Sequence, residues 1–293
     1  MIIAVASGKG GTGKTTVATS LALTLITRES PHRGPVRFLD CDVEEPNAAV
    51  FLHPVLERSE PAGILVPKVD TTRCTLCGRC AEVCAHHAIV VAGTKVLLFC
   101  QMCHGCGSCA VQCPERAIEE VLHVMGTVDS GRAGALYFAQ GTLNVGEAVP
   151  VPLIRALKAD HLAGCAGPSG DVAILDAPPG TSCPVVQTMQ GADFVLLVTE
   201  PTPFGLHDLK LAVSVARGEL GLPVGVVVNR DGCGDAGVDA YCRDEGIPIL
   251  MRIPLDRTIA QAIARGLPLV ESHPEYGPRF AALYSRIREE AAR

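Results

Sequence analysis

Eight cysteines constrain this chain most, because they form one pattern written twice. Cys74-x2-Cys77-x2-Cys80-x3-Cys84 recurs 29 residues later as Cys103-x2-Cys106-x2-Cys109-x3-Cys113. Gly78 maps onto Gly107, and the pairs Ala88-Ile89 and Ala117-Ile118 follow the two runs. Nine of the 14 cysteines lie between Cys74 and Cys113, while Cys41, Cys165, Cys183, Cys233 and Cys242 are scattered singly. A chain of 293 residues buries roughly three quarters of its unfolded surface, so it has no need of disulfide stapling. The start MIIAVASGKGG has neither a basic n-region nor a signal-type cleavage site, which predicts a reducing, cytoplasmic setting. The longest apolar runs, such as Phe194 to Val198 and Val224 to Val228, fall short of the roughly 18 residues a membrane span needs. No stable membrane insertion is expected. A net charge of −6 without a basic block argues against a nucleic-acid partner.

Outside the cysteine segment, short apolar strands alternate with amphipathic helices, the pattern of an α/β domain with a mostly parallel sheet flanked by helices. The expected division is residues 1–65 and 123–293 for that domain and 66–122 for an insert, a mild perturbation because loop-closure entropy grows slowly with length. The doubled run resembles that of the bacterial two-cluster ferredoxins, whose fourth cysteine ligates the other cluster. The resemblance implies a ferredoxin-like α+β insert with two [4Fe-4S] clusters. One would sit on Cys74, Cys77, Cys80 and Cys113, the other on Cys103, Cys106, Cys109 and Cys84. Three thiolates on one tight loop can cap three irons of a cube, and the fourth must arrive from elsewhere. The Ala-Ile pairs are expected in the small core between the cubes. Ala85 stands where the pattern usually has proline, whereas Pro114 is kept, so the backbone at Cys84 is less constrained. Cys100 maps onto Thr71 and is expected unligated. Structural zinc in four-cysteine sites is the alternative, but such sites rarely show this doubled spacing. His86, His87 and His104 are expected to face solvent and tune the clusters rather than ligate them.

The first strand, Ile2 to Ala6, runs into Gly8-Lys9-Gly10-Gly11-Thr12-Gly13-Lys14-Thr15-Thr16 and then a helix with Val17, Leu21 and Leu25. Glycines let backbone N–H groups turn toward a phosphate, and a helix N-terminus adds partial positive charge. Lys14 is expected to reach the β- and γ-phosphates and Thr15 to bind Mg²⁺. With its early lysine, the string resembles the deviant phosphate loop of the MinD/ParA/Mrp ATPase superfamily. That resemblance implies ATP and Mg²⁺ as ligands and an ATP-dependent homodimer in which Lys9 reaches the partner's nucleotide, as an arginine finger does elsewhere. Gly10, Gly11, Thr12, Gly13 and Thr16 complete the loop.

Other landmarks of the same family follow in order. Phe38-Leu39-Asp40-Cys41-Asp42 matches switch I, with Asp42 orienting the attacking water and Asp40 near the metal. Val172 to Asp176, followed by Ala-Pro-Pro-Gly180-Thr181, matches the metal-binding strand and switch II, with Asp176 holding Mg²⁺ through water. Asn229 and the loop opening at Pro254 match the adenine contacts. Thr199-Glu200-Pro201-Thr202-Pro203-Phe204-Gly205 matches the branch with an inserted ferredoxin domain. An aspartate closing one strand can simply cap a turn; several in register are not explained that way.

Lys9, Lys14 and Asp42 are thus the expected catalytic residues of an ATPase that works by positioning and charge stabilisation. Nucleotide-driven switching would be coupled to electron transfer through the two clusters to an unidentified redox or cofactor-receiving protein. The alternative is an ATP-dependent carrier of iron-sulfur or another metal cofactor, with Cys183, or the pair Cys233 and Cys242, as a cargo site. A membrane-bound positioning ATPase would rest on the stripe Phe280, Leu283, Tyr284 and Ile287, which is more often packed against a sheet. An amidoligase is not expected, because the chain leaves no room for a glutaminase domain. Gly126 to Pro152 reads as a hairpin-like return, Leu153 to Leu162 as a short helix, and Lys158 as a surface lysine.

Overall fold

The structure, a computed structural model, describes residues 1–27, 29–163, 165 and 170–293. In chain order its strands are β1 (Ile2–Ala6), β2 (Val36–Asp40), β3 (Val55–Val69), β4 (Ile89–Ala92), β5 (Lys95–Leu98), β6 (Ile118–Ala133), β7 (Leu136–Leu143), β8 (Val172–Asp176), β9 (Phe194–Thr199), β10 (Val224–Asp231) and β11 (Ile249–Pro254). The helices are α1 (Lys14–Leu25), α2 (Ala49–Leu52), α3 (Arg79–Glu82), α4 (Ser108–Val111), α5 (Val151–His161), α6 (Cys183–Met189), α7 (Pro203–Val213), α8 (Gly237–Asp244), α9 (Arg257–Ala264), α10 (Leu269–Ser272) and α11 (Tyr276–Ala291). Nine strands make one sheet in the order β11-β10-β9-β1-β8-β2-β7-β6-β3. Neighbours from β11 to β7 run parallel, and β6 is antiparallel to both β7 and β3.

β1 is apolar throughout, β8 up to its closing Asp176 and β9 up to its closing Thr199, because both faces of the sheet are covered. Ile3 and Val5 of β1 pack with α1, α9, α10 and α11, while Ala4 and Ala6 pack with α5, α6, α7 and α8, the period-two alternation of a strand. Phe280, Leu283, Tyr284 and Ile287 lie in the first of these cores, so the stripe on α11 is sheet packing. No helix among the described residues is long and apolar enough to cross a membrane. Arg279 and Arg286 of α11 donate to the carbonyls of Arg252, Leu250 and Ile249 on β11, which blunts that open sheet edge.

At the other edge β3 and β6 pair from Val55 with Arg132 to Val69 with Ile118. Their neighbour β7 ends at Leu143, opposite Gly126. Residues 63–69 and 118–124 therefore run on beyond the sheet as a two-stranded ribbon. Leu65 pairs with Leu122, so the boundaries expected at 65 and 123 fall inside continuous pairing rather than in a linker. Where the ribbon leaves the sheet, Met125 is an extra residue between the pairs Ala62–Gly126 and Gly63–Val124, a bulge of the kind that bends a strand. Gly63 is needed there because a Cβ would strike the carbonyl of His123. At the ribbon's tip the Asp70 N–H donates to the Ala117 carbonyl at 2.7 Å. The cysteine segment hangs from this neck as α3, α4 and the β4–β5 hairpin. Between residues 70 and 117 its buried apolar side chains are Cys80, Ala88, Ile89 and Ala117.

The hairpin-like return is present as β6 and β7, joined by Gly134, at φ +61°, and Ala135. The short helix is α5.

Candidate functional site

The C-terminal ends of β1, β2 and β8 open onto a cleft of about 620 Å³, the edge at which open α/β sheets bind ligands. The turn after β1 reaches α1 through Gly11 and Gly13, at φ +76° and +95°, values that suit glycine. Gly10, Gly11, Gly13, Lys14, Thr15, Thr16, Asp42, Asn229 and Pro254 line the cleft. Its far end is apolar, with Val50, Phe51, Ile259 and Ile263. Lys9, Thr12, Asp40 and Asp176 are not on its wall. Thr12, Asp40 and Asp176 lie buried beneath it.

Asp40 and Asp176 sit side by side on paired strands, and Lys14 feels both of them and Asp42. Burial pushes the Lys14 ammonium down, with the three carboxylates opposing. Burial likewise raises Asp42, which Lys14 counters after a backbone N–H. It raises Asp176 well above the ordinary carboxylate value, reinforced by Asp40. Asp40 is pushed up to about 7 by burial, against the N–H groups of Ala48, Asp42 and Asn47. Those N–H groups donate to its carboxylate at 2.9, 3.2 and 3.0 Å. Asp40 therefore fixes the loop that carries Asp42. Both carboxylate oxygens of Asp176 are buried without a hydrogen-bond partner, with the Thr15 hydroxyl and Lys14 as their favourable neighbours. Three carboxyls around one ammonium leave two negative charges in excess when all are ionised. The unpaired Asp176 carboxylate, with the Thr15 hydroxyl alongside, presents the hard oxygen donors that a divalent cation takes.

Lys9 is paired in its own chain with Glu200, at 3.2 Å. Glu200 is 8 % exposed and also binds Arg230, a residue held at φ +52°. The Thr-Glu-Pro-Thr-Pro string marked this place in the sequence, but no role for Glu200 was legible. Asn229 donates its side-chain amide to the Thr12 carbonyl at 2.8 Å, so it braces the phosphate loop as well as facing the cleft. A side chain at Gly13 would collide with it.

The cysteine runs make two recesses. One is lined by Cys103, Cys106, Cys109 and Cys84, the other by Cys74, Cys77, Cys80 and Cys113. Three thiols come from one run and the fourth from the other, in each case the grouping that the resemblance to two-cluster ferredoxins implies. The N–H of Ala88 points at the Cys84 sulfur and that of Ala117 at the Cys113 sulfur, both at 3.3 Å; Gly105 N–H approaches the Cys103 sulfur at 3.5 Å. Such donors stabilise thiolates that ligate a cluster. Among the described residues no group of three or more His, Cys, Asp or Glu side chains could hold a single metal ion. A cube spreads its ligands over four corners instead. The halves differ in support. Leu65 and Pro67 of the ribbon line the first recess, and Gly105, at φ +63°, lies so close that a Cβ would sit 3.1 Å from the Leu65 carbonyl. Its counterpart Leu76 has φ +60° and is 36 % exposed. His86 and His104 are exposed and stack at 3.6 Å between ring centres.

Of the scattered thiols, Cys41, Cys165 and Cys242 are buried, while Cys183 and Cys233 are exposed. Cys242 packs in the core with Val238 and Ile247, and burial pushes its thiol up to about 11. The structure thus does not offer Cys233 and Cys242 as an open two-thiol site. Lys158 is not an ordinary surface lysine: its ammonium donates to the carbonyls of Gln187, Thr188 and Gln190 at 2.7, 2.8 and 2.7 Å. These are the last carbonyls of α6 and its cap, the groups a helix leaves unsatisfied.

The model of the CobQ/CobB/MinD/ParA nucleotide-binding domain matches residues 3–269. An uncharacterised protein of Methanocaldococcus jannaschii is 29 % identical over 268 residues, 91 % of this chain and 90 % of its own length. An iron-sulfur cluster carrier protein of Aquifex aeolicus is 32 % identical over 120 residues, 36 % of this chain and 33 % of its own. Among solved structures, the septum site-determining protein MinD of Pyrococcus horikoshii, complexed with Mg-ADP, superposes with a TM-score of 0.58 at 19 % identity, covering 98 % of this chain and 95 % of that one. This last likeness is one of fold.

Proposed function

The chain belongs to the CobQ/CobB/MinD/ParA nucleotide-binding family, and from that premise we propose that it is an Mg-ATP-hydrolysing iron-sulfur protein. In this reading, switching of an ATP-dependent homodimer is coupled to electron transfer through two [4Fe-4S] clusters to a partner protein. The observation that carries it is one sheet bearing both an anionic pit beneath a phosphate loop and, on its edge ribbon, two recesses of four thiols. The backbone N–H groups from Gly10 to Lys14 receive the phosphates, and the Lys14 ammonium neutralises the terminal one. Thr15 and Asp176 would hold Mg²⁺, which supplies further charge neutralisation for phosphoryl transfer. Asp42 orients the attacking water, on a loop that Asp40 holds in place. Lys9 exchanges Glu200 for the partner's nucleotide when two copies close. In the insert the eight repeat cysteines would hold two clusters, which supply one-electron chemistry.

Anaerobic purification with iron, sulfide and EPR analysis, with and without a nonhydrolysable ATP analogue, tests this reading. About eight irons per chain and a nucleotide-dependent change in the reduced spectrum are expected. About four irons or fewer in protein kept anoxic would overturn the two-cluster assignment. The partial likeness to a cluster carrier, with Cys183 and Cys233 exposed, favours a second reading as a carrier. ATP-dependent loss of iron to an apo-acceptor would establish it over the first.

A further inference from the structure

We infer that the segment from Leu143 to His161 is a strut that carries the state of the nucleotide cleft to the base of the ribbon, with Lys158 and Glu147 as its positioning residues. The inference rests on the nucleotide reading above. Three sets of contacts support it, one for each thing the strut would have to touch.

At its start the segment meets switch I. The Leu143 N–H donates to the carbonyl of Val43 at 2.8 Å, directly after Asp42. The Val43 side chain is buried and fills the space over Gly141, where a Cβ would collide with it and crowd Leu153 of α5. A shift of Asp42 therefore pushes on the end of β7 and on α5 together, because a close-packed interior has no slack to absorb it.

The next residues clamp the ribbon where it leaves the sheet. The Asn144 N–H donates to the Met125 carbonyl at 2.8 Å, and its side-chain amide donates to the Val124 carbonyl at 3.3 Å. Glu147 pairs with His123 at 3.0 Å. These contacts converge on the bulge at Met125, the point from which the cysteine lobe is aimed.

The last turns hold the switch II side. Lys158 places its three donors on three carbonyls at the end of α6, and Arg155 donates to the Gln187 side chain at 3.2 Å. All three protons of an ammonium are then used, and α5 is bound to the helix that begins just after the Pro178-Pro179-Gly180 turn. Switch I, switch II and the ribbon base thus share one continuous piece of chain.

Amide hydrogen exchange on the full-length protein, with and without Mg²⁺ and a nonhydrolysable ATP analogue, reads this directly. In the wild type, peptides from the cleft and from residues 118–125 should both change protection, the latter by at least about threefold. Lys158→Met should bind the analogue as the wild type does and lose the ribbon response, and Lys158→Arg should regain part of it. Glu147→Gln, which leaves α6 untouched and serves if the lysine variant does not fold, should lose the response at the ribbon alone. A ribbon response in Lys158→Met and Glu147→Gln equal to that of the wild type overturns the strut. So does a wild-type ribbon that ignores an analogue the cleft registers. Failure of the cleft itself to respond overturns the nucleotide reading instead.

Discussion

The nucleotide cleft and the cysteine lobe hold reactive groups by opposite means. The cleft is cut into a sheet with an apolar core on each face, and that core is stable enough to keep Asp40, Asp176 and Lys14 out of water at a cost. The lobe has four buried apolar side chains between residues 70 and 117, far too few to offset the entropy of ordering that length of chain. What it gathers instead is thiols. On the reading proposed above, the lobe would draw its folding free energy from the clusters its thiols hold, so that one site is imposed by the fold and the other would impose it.

Four experiments put that contrast to the test. Lys14→Ala should lower ATP hydrolysis by about 10²- to 10³-fold or more, with iron content per chain unchanged; loss of iron alongside would show the regions to be inseparable. Cys113→Ser should remove about half the iron and leave analogue binding intact, because its recess shares no residue with the cleft. Full iron retention would remove Cys113 from the ligand set.

Asp176→Asn tests the cost carried by the cleft. A carboxyl whose folded pKa is raised adds most stability at low pH and loses it as pH rises from the ordinary value near 3.8 toward the raised one; for Asp40 that window runs to about 7. Removing the Asp176 charge should therefore raise the thermal midpoint of nucleotide-free protein at pH 8, by about 2–4 °C per kcal/mol relieved. The gain should shrink at pH 5, and Mg²⁺-dependent hydrolysis should be lost. Thermal scans at both pH values read this, and a lower midpoint at pH 8 would contradict it.

The smallest effects compare the half-repeats. Gly105→Ala should destabilise the lobe by about 1–2 kcal/mol, since a Cβ is strained at positive φ and also meets the ribbon. Leu76→Gly relieves the same strain and should be neutral or stabilising by up to about 1 kcal/mol. Anaerobic denaturant titration followed by cluster absorbance separates the two, and equal signs would refute the asymmetry.

Much of this arrangement was legible in the sequence, for physical reasons that differ by region. The strand, glycine turn and helix around Lys14 are local, so the pattern and the geometry coincide. The grouping of Cys84 with Cys103, Cys106 and Cys109 is non-local, and it was reached through the resemblance to two-cluster ferredoxins, since the repeat alone does not say which run supplies the fourth thiol. Lys158 was not legible, since a lysine on an amphipathic helix reads as solvated and its three acceptors come from another helix. Glu200 was hidden in the same way, its two cations lying far off in sequence. The saturation of Asp40 by backbone donors was also invisible, because Asp40 and Asp176 end similar apolar strands. The ribbon was missed because residues 55–69 show mixed charge and proline rather than an alternating stripe.

The neck at Asp70 and Ala117 has a consequence for how such a molecule can be assembled. A module that enters and leaves through hydrogen-bonded neighbours is, to the rest of the chain, only a long hairpin turn. The sheet edge is then a socket: any unit whose two ends lie about 5 Å apart can be grafted at Val69 and Ile118 without altering a single pairing beneath it.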